Sequence, residues 1–284
     1  MKKILLATTL IAASTGYAAA EVAVSGSARM GVVMHNDALG NSTDLQFSSR
    51  VRVKFTMTGE TDGGLTFGAE VRNDQSGGGN TANGDSTVYL SGAFGKVTMG
   101  DTGNAADALV GQVSGVGYTG LTDLNEIGFL GRDNTGVYYE YAAGAITFGI
   151  GAGQTVDKDA LLTNDDFISA AVKYSTDAYT VALGYEENDS DKQISLLGSA
   201  TFSGATLKLK LADRDTVPDM MYALSVDYAI SGATVTAFYT DQSAFTSYGI
   251  GAAYDLGGGA SVNGGIARQS GADTIAELGI TMSF

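Results

Sequence analysis

Tight-turn signals recur along this chain at a spacing that few folds can satisfy. Asp62-Gly63-Gly64, Gly95-Lys96, Ala143-Gly144, Thr176-Asp177, Ser203-Gly204, Ser231-Gly232 and Gly257-Gly258-Gly259 begin at intervals of 33, 48, 33, 27, 28 and 26 residues. Most are short sets of the residues a hairpin turn requires, because glycine accepts positive φ. An ordinary interval holds two strands of about 9–11 residues, the length of a tilted membrane-crossing strand, plus a connection at the far end. Seven such turns, with one strand before the first and one after the last, predict sixteen antiparallel strands.

Period-two alternation fills those intervals. In the first strand Val22, Val24, Gly26, Ala28, Met30 and Val32 share one face, and Ala23, Ser25, Ser27, Arg29 and Gly31 the other. In the second, Leu45, Phe47, Val51, Val53, Phe55 and Met57 oppose Gln46, Ser48, Arg50, Arg52, Lys54 and Thr56. Alternation alone suits a soluble sandwich equally well. The turn spacing selects a barrel. Short turns at one end and longer polar connections at the other, such as Gln75–Asp85 and Gln154–Asp165, are the layout of an outer-membrane barrel. The single proline, Pro218, falls in a predicted loop, as expected where nearly every strand N–H must pair. The last strand, Thr274–Phe284, sets Ala276, Leu278, Ile280, Met282 and Phe284 on one face. Tyr139, Tyr141, Tyr185, Phe202, Tyr228, Tyr239 and Tyr254 lie near strand ends, as an interfacial girdle would.

One interval breaks the rule. Across Thr102–Asp133 the alternation stops, yet Leu109, Val110, Val113, Val116, Leu121, Ile127, Phe129 and Leu130 make the segment too apolar for an exposed loop. A long connection of this kind in a compact domain is usually functional. It is expected to fold into the lumen, with its apolar side on the wall and Asp107, Asp123, Glu126 and Asp133 towards a water path. On the wall itself, Arg50 and Arg52 share a face with Gln46 and Ser48. Facing lipid near the midplane they would cost about 2–4 kcal/mol each, so they should point inward.

Residues 1–20 read as a cleaved signal peptide: Lys2 and Lys3, an apolar run over Ile4–Ala13, and Ala18-Ala19-Ala20 before Glu21. The expected mature chain, 21–284, holds 14 basic against 31 acidic residues, a net charge of −17, which argues against nucleic acid as a partner. There is no cysteine, and His35 is the only histidine. That excludes thiol chemistry and a His-rich metal site, and leaves a His-dependent hydrolase little to work with. No serine lies in a G-x-S-x-G turn, so no enzyme is expected. Gly149-Ile-Gly151-Ala-Gly153 is followed by no helix and suits close strand packing better than a dinucleotide loop. No cofactor is expected. Asp157/Asp159, Asp165/Asp166 and Asp189/Asp191 offer oxygen ligands for Ca²⁺ but lack EF-hand spacing, and as solvated external acids they need no special role.

The stretches FSSRVRVKFTMTG (Phe47–Gly59), VYLSGAFGKVTMGD (Val88–Asp101), VGYTGL (Val116–Leu121) and YDLGGGASVNGGIA (Tyr254–Ala267) resemble the general porins of Rhodobacter-type bacteria. The resemblance covers most of the mature chain. It implies a sixteen-stranded all-β barrel in the outer membrane of a Gram-negative bacterium, assembled as a homotrimer among lipid and lipopolysaccharide. It also implies that the third external loop, here 102–133, folds inside as a constriction. The family's basic wall falls on Arg29, Arg50 and Arg52, continued by Lys54 and Arg72, and its loop carboxylates fall among Asp107, Asp123, Glu126 and Asp133. The expected function is passive diffusion of small polar solutes and ions. A substrate-selective channel would want an aromatic slide, and the chain has no tryptophan. A structural or adhesive barrel would need fewer strands or a filled interior.

Overall fold

A computed structural model describes residues 20–34, 45–76, 81–131, 136–153 and 167–284. Sixteen strands close into one antiparallel barrel in sequence order, with β1 (Glu21–Met34) pairing β16 (Thr274–Ser283) to seal it. The others are β2 (Leu45–Glu60), β3 (Thr66–Ser76), β4 (Thr81–Gly92), β5 (Gly95–Gly100), β6 (Gly136–Ala143), β7 (Ile146–Gly153) and β8 (Ile168–Ser175). Then come β9 (Tyr179–Glu187), β10 (Lys192–Phe202), β11 (Ala205–Arg214), β12 (Met221–Ile230), β13 (Ala233–Asp241), β14 (Thr246–Gly257) and β15 (Ala260–Gln269). Closure removes the unpaired edges that lipid would not tolerate.

All seven short turns are present. Two of them, Ser203-Gly204 and Ser231-Gly232, hold both residues at positive φ (50° and 81°, 47° and 84°), the twist a two-residue hairpin requires. The turn expected at Gly95-Lys96 sits two residues earlier, at Ala93-Phe94, because Gly95 already pairs with Gly92 in the ladder. Of Gln75–Asp85, expected as a loop, the described residues 75–76 and 81–85 are strand: Gln75 pairs with Thr81 and Asp74 with Ala82. Beyond the apolar band a strand needs no apolar face, so it carries no alternation to read. Gln154–Asp165, His35 and the signal segment fall outside the described residues, as does Asp133.

The outward face is apolar and exposed. Val181 and Leu183 of β9, Leu207 and Leu209 of β11, and Leu224 and Val226 of β12 point out, while the intervening Ala182, Lys210, Ala223 and Ser225 are buried. Aromatic side chains rim this face at both ends. Phe94, Tyr141, Tyr174, Tyr179, Phe202, Tyr228 and Tyr254 lie towards the short turns, and Tyr222, Tyr239 and Tyr248 towards the far ends. Tyr222 stacks on Tyr239 with ring centroids 5.9 Å apart, and Tyr174 lies 5.8 Å from Tyr179. These are interfacial belts.

Candidate functional site: the lumen

The segment between β5 and β6 packs on the buried, inward set of wall residues. It begins as a one-turn helix, α1 (Ala105–Leu109), capped by Asn104, whose side chain accepts the Asp107 N–H at 2.7 Å. The apolar residues then settle at successive stations around the wall. Val110 packs with Ala182 and Leu197. Val113 and Ile127 pack with Ala212, Met221 and Ala223. Val116 and Leu121 pack with Phe238, Ala267 and Ile275. The path therefore runs from β7 around to β16. Burying these side chains favours the arrangement at about 25 cal/mol per Å² of apolar surface.

Close approach needs a thin wall. A Cβ on Gly184 would lie 2.7 Å from the Ala106 Cβ and 2.9 Å from a Val110 methyl; one on Gly265 would lie 3.1 Å from the Val116 Cβ. Gly149 and Gly151 serve the same end, Gly149 against Leu109 and Gly151 beside the Ala105 amide.

Polar side chains of the wall take up the groups that a non-repetitive backbone leaves over. Asn104 Nδ2 donates to Glu186 Oε2 at 2.9 Å, and the Ala105 N–H to Ser169 Oγ at 2.9 Å. Lys210 Nζ donates to the Ile127 carbonyl and to Gln112 Oε1, both at 2.8 Å, and sits 3.6 Å from the centre of the Phe129 ring. Arg214 and Gln193 both donate to the Gly128 carbonyl, at 2.7 and 3.1 Å. Ser114 donates its hydroxyl to Asp227 at 2.6 Å, and Glu277 accepts both the N–H and the hydroxyl of Thr119. Sequence reading missed these anchors. Their one signal is a charged residue placed in register with small inward ones, as Glu186 follows Ala182 and Gly184.

Three of the expected loop acids lie together. Asp107 and Asp123 are exposed and Glu126 is half-buried. The surrounding protein strips solvent from Asp107 and raises its carboxyl above the ordinary value, against the pull of Lys210. Glu126 is raised by the same loss of solvent and then by the charge of Asp123. Tyr118 carries the loop on to Gly31 of β1 and close to Ser48 of β2. On this side of the wall the five expected basic residues sit as one cluster, since Arg29 pairs with Arg50 across β1–β2 and Lys54 with Arg72 across β2–β3. Their nearest acids belong to the wall rather than to the loop. Asp74 takes Arg52 through two hydrogen bonds of 2.7 and 2.8 Å and lies 3.2 Å from Arg72, while Glu70 pairs with Lys54 at 2.7 Å. The sequence reading assigned the charge relief to the loop. In the fold the adjacent strand is nearer, because side chains on one face of neighbouring strands lie about 5 Å apart. Among the described residues no three His, Cys, Asp or Glu side chains come together to hold a metal.

The closed sixteen-stranded barrel matches known proteins over most of its length. The family model for Gram-negative porins matches residues 7–274. The chain is a Gram-negative porin. A porin of Rhodobacter capsulatus is 38% identical, with 93% of this chain and 100% of that one covered, and a porin of Fuscovulum blasticum is 29% identical at the same coverage. A porin structure refined at 1.8 Å superposes with a TM-score of 0.79 at 35% identity, covering 93% and 100% of the two chains. The porin is thus a multi-pass β-barrel of the outer membrane, from a family of channels.

Proposed function

We propose that this porin is a passive diffusion channel for small hydrophilic solutes and ions, narrowed by its third loop, 102–133. The supporting observation is the division of the lumen: apolar and polar anchors hold the loop on the β7–β16 wall while the basic cluster lies on β1–β3, an arrangement that would set the loop acids across the water path from that cluster. Asp107, Asp123 and Glu126 opposite Arg29, Arg50, Arg52, Lys54 and Arg72 would set up a transverse field that orders water. A polar solute aligns its dipole with that field, whereas an apolar one must displace the ordered water. The excess of acids gives a weak cation preference, held small by screening over about 8 Å at physiological salt. Planar-bilayer recording tests the reading: large ohmic steps are expected, and silence from folded protein would contradict it.

The same reading includes a homotrimer joined through the outer face of β1–β5, set among outer-membrane lipid and lipopolysaccharide. Residues 21–101 contain Tyr89 and four phenylalanines, against seventeen aromatics in 134–284. The outer surface there shows Val22, Val24, Met30, Val51, Val88 and Met99 among Phe47, Phe55, Phe67 and Phe94, with no tyrosine between Glu21 and Tyr89. An open groove of about 790 Å³ runs over Met30, Val32, Phe47, Val262, Leu278 and Ile280 beside it. Such a surface suits protein contact better than the lipid interface. Native mass spectrometry in detergent should give a trimer; monomer alone would remove this part.

A further inference from the structure

Among the described residues Lys210 is the one cation that the fold buries completely. It stands on β11 where the two limbs of the loop meet. Gln112 and Ile127 join those limbs through hydrogen bonds of 2.9 and 3.2 Å, and Lys210 Nζ donates to an oxygen of each at 2.8 Å. Its third contact is the Phe129 ring, 3.6 Å away. All three partners are neutral, and no ion pair among the described residues includes Lys210. The charged groups that face it are Glu186 from β9, Asp107 from α1, Glu126 beside Ile127, and Arg214 on its own strand. Glu186 is already taken up by Asn104 and Gln193, and Arg214 by Gln193 and the Gly128 carbonyl. Asp107 and Glu126 are the loop acids on which Lys210 acts as the opposing charge.

Holding the loop does not by itself call for a buried ammonium, which is costly to desolvate against neutral partners. Elsewhere on the same wall Ser169 and Ser225 accept loop N–H groups, and Gln193 donates to a loop carbonyl. What Lys210 adds to such contacts is charge. Behind the loop that charge is screened little by salt, and it reaches the acids from the side away from the lumen. We propose that Lys210 is a positioning residue for the acidic face of the channel: fixed behind the loop, it sets a counter-charge against Asp107 and Glu126 and so decides how far into acid the pore keeps its preference for cations. Loss of solvent, and for Glu126 the charge of Asp123, favour the protonated carboxyls; Lys210 works against both. Without it the two acids should take up protons at higher pH. The inference rests on the channel reading above and concerns the regulation of that same lumen.

The test uses the intact porin in a planar bilayer under a potassium chloride gradient, where the open-channel steps report the channel reading by themselves. Reversal potential is followed as the pH is lowered. Lys210→Gln keeps a donor for the Ile127 carbonyl and loses the charge. It should give up its cation preference at a proton concentration about threefold lower than the parent, or lower still, the scale of one unit charge acting on another near a protein surface. Should it not assemble, Lys210→Met, of similar length and likewise uncharged, takes its place. Lys210→Arg keeps the charge and should stay within about twofold of the parent. Ser114→Ala loosens a loop anchor without removing a charge, and its profile should also coincide with the parent's. In detergent-solubilised porin the carboxyl ¹³C resonances of Asp107 and Glu126 should titrate at higher pH in the uncharged variant, which reads the proposal even if no channel opens. An uncharged variant whose potentials and resonances both follow the parent would overturn the proposal. So would a Ser114→Ala profile displaced as far as that of Lys210→Gln, since loop placement alone would then set the response.

Discussion

The two sectors of this barrel wall solve opposite problems. From β7 to β16 the inner face is small and polar, Gly184, Ala182, Ala212, Ala223, Ser225 and Gly265 among anchoring Glu186, Lys210 and Glu277, and it is covered by the loop. From β1 to β3 the inner face is crowded with long basic side chains, and the loop meets it at Tyr118. Outside, the difference is in the kind of side chain: the covered sector carries tyrosines at both rims, and the basic one carries Val and Met with Phe47, Phe55 and Phe67. A wall that holds a loop must be thin and must offer partners to its backbone. A wall that faces the loop across water needs reach and charge. One repeated hairpin supplies both by changing only the side chains on its inward positions.

The largest effect should come from thickening the covered wall. Gly184→Leu places a side chain where Ala106 and Val110 already sit, and overpacking of this kind costs about 1–3 kcal/mol. The loop should detach locally and the single-channel record should flicker. Gly198→Leu, on the outer face with nothing within 4 Å of a Cβ, should leave the record unchanged. Similar traces from the two variants would break the comparison.

Acidification separates the sectors by charge. The raised Asp107 and Glu126 carboxyls lose their negative charge as pH falls, and do so before ordinary carboxylates at about 3.9–4.3, while the arginines stay charged. Reversal potentials should therefore move from cations towards anions on lowering the pH, and Asp107→Asn with Glu126→Gln should flatten that response. A profile unchanged in the double variant would place the titrating groups elsewhere.

Smaller effects sharpen the account. Ser114→Ala removes the hydroxyl given to Asp227, which keeps Thr236 at 2.6 Å, so about 1 kcal/mol of loop attachment should go. Hydrogen exchange confined to the amides around Ser114 would report it; unaltered exchange would show the contact idle. Outside, Tyr222→Leu breaks the stack on Tyr239, worth about 0.5–1.5 kcal/mol, and should lower the thermal midpoint slightly. Phe55→Leu, on the tyrosine-poor face, should lower it less. Equal shifts would erase the outer distinction.

Much of this was legible because the turns and the inward charges obey local rules. Ser203-Gly204 and Ser231-Gly232 announce hairpins, and the period-two face that holds Arg50 and Arg52 can be drawn without a structure. The wall acids were within reach but unread. The turn that pairs Glu60 with Thr66 also fixes Arg52 opposite Asp74, so the hairpin register alone carries that pair. The loop anchors were beyond reach, because Asn104 to Glu186, Ser114 to Asp227 and Thr119 to Glu277 join residues 82, 113 and 158 positions apart. Only closure of the barrel brings them together.

The central claim is that the segment on the covered wall sets the width of the pore. Deleting 111–120, the stretch that carries Val113, Val116 and Tyr118, removes part of the loop and leaves every strand of the barrel intact. Single-channel conductance of the deletion variant, measured beside the parent at the same salt, tests this most directly. The account predicts larger steps from a barrel that still assembles. Steps of unchanged size from a folded variant would contradict it.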